Sequence, residues 1–493
     1  MKLKTNSGPY TIVRTALLAA SLIGLGVNPP AANALVGINN IQVTTTNDTV
    51  DVATDGVCAD AAGQCSLRAA IQTANELGGS VYITLGATTY TLTLTGAGEL
   101  FSATGDLNIN NASVTITSPY GQATIKGGTG WDDRLIQVGG SAQLSISNVV
   151  LTGGNSPANG GAIWGADTSS LILRNSRVTD NQAASFGGGI SGEGLSLFVE
   201  NSRIDNNTSG AQGGGILAHA ASNTISTSTI DHNTADSSGG VYAYPPPTGS
   251  VDIVQSTISN NTARYNGGGI QAVQNVNFYS TTITGNTAAA SGTSGYGGGI
   301  YLVNTANIRN SIVAGNMASY FVTTTISSPD CYSPNPGTVF LASQGYNLIG
   351  DMTGCTMDAS GLGEQLGDAT NPIDPLFGPL QDNGGVTPTH LLLTGSPGID
   401  TGNPNGCVGT TGTELTTDQR GYTRPIDGDA DGVAVCDLGA VEITPTVSAA
   451  ASTSGGGGGG GCTISNGTGI DPTLPGLLLA ALAYLGWRRK HRT

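Results

Sequence analysis

One feature constrains this chain more than any other: it repeats. A glycine doublet or triplet followed by a small or aliphatic residue returns at Gly160-Gly161-Ala162-Ile163, Gly187 to Ile190, Gly213 to Ile216, Gly239-Gly240-Val241, Gly267 to Ile270 and Gly297 to Ile300. The Ile/Val positions step by 27, 26, 25, 29 and 30 residues. Asparagine keeps the same period at Asn155, Asn181, Asn207, Asn233, Asn261, Asn286 and Asn316. Two anchors with one period mean a solenoid or a propeller.

Aliphatic columns decide between them. Leu173, Val199, Ile225, Ile253, Phe278 and Ile308 share one position of the repeat, and Val178, Ile204, Ile230, Ile258, Ile283 and Val313 another, five residues later. Such a unit holds only short strands, too few for a propeller blade of roughly 40 residues. It fits one coil of an all-β, right-handed parallel β-helix, in which coils stacked at about 4.8 Å set each aliphatic residue over its counterpart. Eleven or so coils would form a rod on the order of 50 Å long. Glycines are expected at corners that need positive φ or close backbone approach. The asparagines are expected at a turn in the left-handed region, with their amides bonded coil to coil as a ladder. The column Ser176, Ser202, Ser228, Ser256, Thr281 and Ser311 can do the same.

From Ala123 to Asn316, the Gly-Gly-Ala-Ile form with its hydrophobic-x-x-Asn partner resembles repeats of polymorphic outer-membrane proteins and related bacterial β-helix surface proteins. Those commonly end in a membrane β-barrel, whereas no set of alternating ten-residue strands follows these repeats. Upstream, Cys65-Ser66-Leu67-Arg68-Ala69-Ala70-Ile71 resembles the CSLREA motif, with Ala69 in place of its Glu. Ser66 can cap a helix from Leu67 to about Leu77 whose apolar face closes the first coil. Downstream, Asn371 to Phe377, Asp382-Asn383-Gly384-Gly385, Ser396 to Gly402, Asp418-Gln419-Arg420-Gly421 and Asp437 to Glu442 resemble the choice-of-anchor region of surface proteins, expected here as a disulfide-containing C-terminal cap. That resemblance implies association with an anchoring tail and no chemistry.

Both termini read as export signals. Lys2, Lys4 and Arg14, an apolar stretch to Val27, and Ala32-Asn33-Ala34 predict a signal peptide cut by signal peptidase after Ala34. At the other end, a glycine run to Gly461 precedes Cys462, Asp471-Pro472-Thr473-Leu474-Pro475, an apolar run from Gly476 to Trp487 and a basic cluster from Arg488 to Arg492. As a helix the apolar run would rise about 18 Å, short of a hydrocarbon core of roughly 30 Å. The order of parts resembles GlyGly-CTERM and JDVT-CTERM sorting tails. This implies transient membrane association, cleavage by an intramembrane sorting protease and lipidation of Cys462; a permanent anchor is the alternative. The chain then divides into a signal peptide (1–34), an N-terminal cap (35–105), β-helix repeats (106–320), a C-terminal region (321–445), a Gly/Ser-rich linker (446–461) and the tail (462–493).

Charge and cysteines agree with export. The whole chain carries 17 bases against 33 acids. Seven of the bases and one acid lie in the two end segments, leaving ten bases against 32 acids, net −22. A nucleic-acid partner is excluded on that balance. Six cysteines remain once Cys462 is assigned to the tail; they pair most simply as Cys58 with Cys65, Cys331 with Cys355 and Cys407 with Cys436, one of fifteen connectivities. Zinc is the weaker alternative, since no Cys-x-x-Cys or clustered histidine accompanies them.

Candidates for chemistry are few. Asp427-Gly428-Asp429-Ala430-Asp431-Gly432 places carboxylates at alternate positions, a Ca²⁺-like pattern with the Val433 carbonyl and Asp437 as further ligands. A plain solvated acidic turn is the alternative, and Leu438 at the twelfth position excludes an EF-hand. Arg174, Glu200 and Tyr279 fall on an outward column and mark an expected binding face, with Tyr265, Tyr296 and Tyr301 as further stacking platforms. Asp205 and Asp231 share a position, and Asp132-Asp133 stands apart, but no hydrolase-type or lyase-type set joins them. The expected protein is an exported cell-surface, outer-membrane or released module, adhesive or binding surface polysaccharide or a host or neighbour protein. A polysaccharide lyase or glycoside hydrolase and an inert spacer are the alternatives.

Overall fold

A computed structural model describes residues 39–110, 112–288, 295–319, 330–335, 337–338, 341–358 and 362–444. Ala34, Gly461, Cys462 and the segments around them lie outside the described residues.

The rod is a parallel β-helix. One coil runs Ser170–Arg174, Arg177–Thr179, Gln182–Ala183 and Ile190–Glu193, and each strand pairs in parallel with its counterpart in the next coil. Among the described residues four sheets result, with eleven, eleven, nine and seven strands. We call the sheet holding Ser170–Arg174 the first, that holding Arg177–Thr179 the second, that holding Ile190–Glu193 the third and that holding Gln182–Ala183 the fourth. The stacked sheets begin upstream of residue 106, since Asn39–Gln42, Gly79–Thr84 and Thr89–Leu92 are already rungs. They also continue past 320, to Gln365–Leu366.

The aliphatic columns form the core as expected. Leu173 through Ile308 and Val178 through Val313 are all fully buried, as are Ile163, Ile190, Ile216, Val241, Ile270 and Ile300. Each such side chain contributes about 1.5–3 kcal/mol on burial. Repetition, rather than any single contact, therefore holds the rod.

The asparagine ladder exists, with two corrections. Nδ2 of Asn181, Asn207, Asn233, Asn261 and Asn286 donates to Oδ1 of the next asparagine at 2.9–3.0 Å, and the series ends where Asn316 donates to Asp330 Oδ1 at 2.9 Å. Asn155 is outside the series: it pairs with Gln182, and Gly154 occupies the ladder rung. Nor do the ladder asparagines adopt positive φ. The residues before them do: Asp180, Asn206, His232 and Asn260 at 54–56°, Gly285 at 68° and Gly315 at 70°. The serine column bonds differently again. Ser202 Oγ accepts the Ser176 N–H at 3.2 Å and donates to the Glu200 carbonyl at 2.8 Å, so hydroxyls link backbones rather than each other.

At the glycine corners the first residue takes positive φ, 64° at Gly187 and 70° at Gly213; at the Gly239-Gly240 doublet Ser238, which precedes it, takes it at 58°. The second glycine answers a different need. A Cβ on Gly214 would overlap the Gly239 carbonyl oxygen of the next coil.

The N-terminal helix spans Leu67–Leu77, and Ser66 caps it by accepting the Ala69 N–H. It lies against Leu107–Asn110, the end strand of the third sheet, and so covers an open edge. Arg68, fully buried, bonds Asp48 at 2.6 Å and the Gly105 carbonyl at 2.8 Å, which supplies the charged contact here while Ala69 is packed inside.

The C-terminal region does more than close the last coil. From Phe377 to Ile443 it returns along the outer face of the second sheet as an arm. Ile312, on that face, is fully buried in a small second core with Leu348, Leu392 and Leu438. Within the arm, Arg424 and Glu442 form a buried ion pair at 2.7 Å, and Asp418 Oδ2 accepts both Arg420 and the Glu442 N–H. These contacts join the Asp-Gln-Arg-Gly and Asp-Leu-Gly-Ala-Val-Glu motifs. Cys58–Cys65, Cys331–Cys355 and Cys407–Cys436 are disulfides, the nearest-neighbour pairing. Three disulfides place this protein outside the cytoplasm.

Candidate functional site

The second sheet presents two outward columns. One reads Arg177, Arg203, Thr229, Thr257 and Thr282; the other reads Thr179, Asp205, Asp231, Ser259 and Thr284. Hydroxyls stand where the arm covers the sheet. Thr229 donates to the Pro388 carbonyl at 2.6 Å, Thr257 to Gln419 Oε1 at 2.7 Å, and Thr282 Oγ1 accepts the Ala440 N–H at 3.0 Å. Gln419, buried, returns Nε2 bonds to Ser228 O, Thr229 and Thr387. Ser259 bonds His390 at 2.8 Å.

Where the arm stops, the column changes to arginine. Arg177 places Nε and Nη2 on the two oxygens of Asp205 at 2.7 and 2.5 Å, and Arg203 does the same to Asp231 at 2.8 and 2.6 Å. Both aspartates are fully buried, whereas the arginine side chains are 40 and 26% exposed. Each guanidinium is thus fixed from below with one edge left over. The hydrogen bonds they donate to the aspartates hold both arginines above the ordinary guanidinium range. Burial alone would raise Asp231, but bonds from Arg203 and His232 outweigh it and keep that carboxyl below its usual value.

A cleft of about 290 Å³ opens over this pair. Gln122, Asn175, Asn201 and the two arginines line its rod side; Asp382, Val386 and Pro388 of the arm line the other. Asn175 and Asn201 reach it because their corners take φ of 48°.

The expected face on the first sheet is only partly there. Arg174 and Glu200 pair at 2.8 Å, half exposed, with the guanidinium 4.9 Å from the Phe198 ring. They precede Asn175 and Asn201 in the chain but do not line the cleft. Tyr279 is 8% exposed, and burial pushes its phenol up, so it offers no platform. Tyr296 and Tyr301 each stack on Tyr332, at 4.3 and 5.7 Å, which uses their faces on one another. Arg264 lies over Tyr265 at 5.2 Å.

The acidic loop is also rearranged. Carboxylate oxygens of Asp400, Asp427 and Asp429 lie within 4.8 Å of one another. Asp400, 27 residues upstream, completes the group and accepts the Gly428 and Asp429 N–H groups at 2.7 Å. Asp431 instead accepts the Val433 N–H at 2.8 Å. Asp437 points inward to the Asp400 and Ile443 N–H groups, and burial with Glu442 alongside raises it to about 8. Asp431 and Asp437 are therefore not among the grouped carboxylates, and only Asp427 and Asp429 of the expected set are. An all-oxygen triad of this kind can hold a hard cation such as Ca²⁺.

A family comparison supports the scaffold. Residues 123–318 match the family described as right handed beta helix region. The fold is a right-handed parallel β-helix. A solved pectate lyase, Pel9A, shares 16% identity at a TM-score of 0.45, the match covering 83% of this chain and 98% of that one. No curated protein matches the sequence.

Proposed function

We propose that this is an exported binding module of the bacterial envelope, with its ligand site in the cleft between rod and arm. The observation that carries the reading is the fixed arginine pair, Arg177 on Asp205 and Arg203 on Asp231. Its carboxylates are engaged and its guanidiniums are held protonated, so the pair supplies hydrogen-bond donors and no free base for proton abstraction. Recognition is the chemistry such groups perform.

The rest of the life cycle follows the sequence resemblances. Signal peptidase cuts after Ala34, and an intramembrane protease processes the tail near Gly461 and Cys462, leaving the module at the cell surface, on the outer membrane, or released. Its partner is a surface polysaccharide or a host or neighbour protein, and Ca²⁺ at Asp400, Asp427 and Asp429 steadies the arm.

The test is a set of binding measurements on the full chain against glycan arrays and whole cells, run beside assays for reducing ends and unsaturated uronates. Retention without product supports the module. Product that disappears in Arg174→Ala or Glu200→Ala would replace it with a lyase or hydrolase, and neither signal would leave a spacer.

A further inference from the structure

The cleft also limits what its ligand can be. Resting on the binding-module reading, we infer that it takes a neutral, hydroxyl-rich saccharide unit rather than an acidic glycan or a peptide. Charge is the first argument. Arg177 and Arg203 are each matched by a fully buried aspartate, and Asp382, which has no ion-pair partner among the described residues, adds a carboxylate at the opposite wall. The cleft therefore carries no positive surplus, in a chain that is acidic overall. A uronate or sulfate would enter against that field.

Shape of the hydrogen-bonding groups is the second argument. Gln122, Asn175, Asn201, Arg177, Arg203 and Asp382 are all planar groups with two hydrogen-bonding positions side by side. Adjacent hydroxyls on a sugar ring present the matching pair. Among the described residues, Nη1 of Arg177 and of Arg203 has no protein acceptor, because Nε and Nη2 serve the aspartates. These two guanidiniums stand on neighbouring coils, about 4.8 Å apart along the rod. They are preorganised, so binding loses little side-chain freedom.

Size and the apolar wall are the third. A volume of about 290 Å³ sits at the low end of ligand cavities and suits a single ring. Val386 and Pro388 offer C–H surface for the ring's apolar face, and Val386 is 62% exposed. A peptide would be expected to use a sheet edge or a deep apolar pocket. The second sheet has neither here, as its rungs are paired on both sides.

The experiment is titration of the full chain with neutral hexose oligosaccharides, a uronate oligomer and a sulfated oligomer. Two variants accompany it. Val386→Trp fills the cleft from the exposed arm loop, and Arg177→Lys keeps the charge on Asp205 but removes the planar fork. The expected result is binding of a neutral oligomer, lost at least tenfold in Val386→Trp and about tenfold in Arg177→Lys, with unchanged melting temperatures. Preference for the uronate or sulfated oligomer overturns the inference. So does saccharide binding that Val386→Trp leaves intact, which would keep the module reading and move its site. Absence of binding to any glycan overturns the inference; binding of a protein ligand alone would then leave the module reading standing without it.

Discussion

Asn316 gives both its backbone N–H and its Nδ2 to Asp330 Oδ1, at 3.0 and 2.9 Å, so a ladder of amides ends on a carboxylate. Each rung donates in the same direction, and the last donor needs an acceptor that donates nothing back. Asp330 meets that need, and its other oxygen accepts the Asp351 N–H at 2.8 Å. Asn233→Ala, in the middle, would take the Asn233 Oδ1 acceptor, at 3.0 Å, from the Asn207 N–H and from one of the two Asn207 Nδ2 hydrogens, the other staying on the Val178 carbonyl. Each stranded buried donor costs about 1–3 kcal/mol. Thermal melting should show Asn233→Ala and Asp330→Ala both well below the parent, and a melting point unchanged in either would refute the ladder's role.

Buried acids give stability a pH slope. Burial, with Asp133 beside it, raises Asp106 to about 7. The unfolded group titrates near 3.8, so between about 4 and 7 the folded state keeps a proton that the unfolded state releases. Stability from this group is thus full at low pH and falls as pH rises through 7. Asp106→Asn should flatten that part of the curve, read as the difference in melting temperature between pH 5 and pH 8. An unaltered slope in the variant would assign it to other groups.

The two kinds of corner glycine should separate under substitution. Gly213 needs positive φ but meets backbone only of its own corner, whereas Gly214 faces the Gly239 carbonyl of the next coil. Gly214→Ala must push two coils apart and should abolish folding or destabilise by several kcal/mol, with Gly239, Gly268 and the rungs beyond disturbed in turn. Ser238 already holds φ of 58° at an equivalent corner. A Cβ at Gly213 would meet the Ile216 carbonyl oxygen of its own corner at 2.5 Å, so Gly213→Asn is expected to cost about 1–2 kcal/mol for its φ plus a local shift, still less than Gly214→Ala. Equal losses in chemical denaturation would contradict this division.

What the sequence made legible was whatever recurs. Ile204, Ile230 and Ile258 can be aligned by eye because each coil must present the same apolar shape to the next. Asn181 through Asn316 are legible for the same reason. Asn155 misleads because the turn at Gly153-Gly154 shifts the register by one residue. The arm carries no such signal. Gln419 meets Thr229 across 190 residues, and nothing local to either residue announces the other. Asp205 and Asp231 were visible as a column, and Arg177 and Arg203 form a neighbouring column with the same 26-residue step, each 28 residues upstream of its aspartate, so that pairing was readable from column chemistry. Asp400 was not, since a loop motif gives no hint of a ligand from a distant turn.

Calcium binding distinguishes the triad from the linear motif. If Asp400, Asp427 and Asp429 hold the ion, Asp400→Asn removes a ligand although it lies outside the loop, while Asp431→Asn spares the site. A ligand present at 100 times its dissociation constant stabilises by about 2.7 kcal/mol. Melting with Ca²⁺ against chelator should therefore show a shift in the parent and in Asp431→Asn, and none in Asp400→Asn. The Cys407–Cys436 disulfide brackets the loop and closes the segment that presents it. Reducing it should weaken Ca²⁺ binding measured by calorimetry, because the loop must then be ordered at the moment of binding. A shift that survives Asp400→Asn but not Asp431→Asn would return the site to the continuous loop.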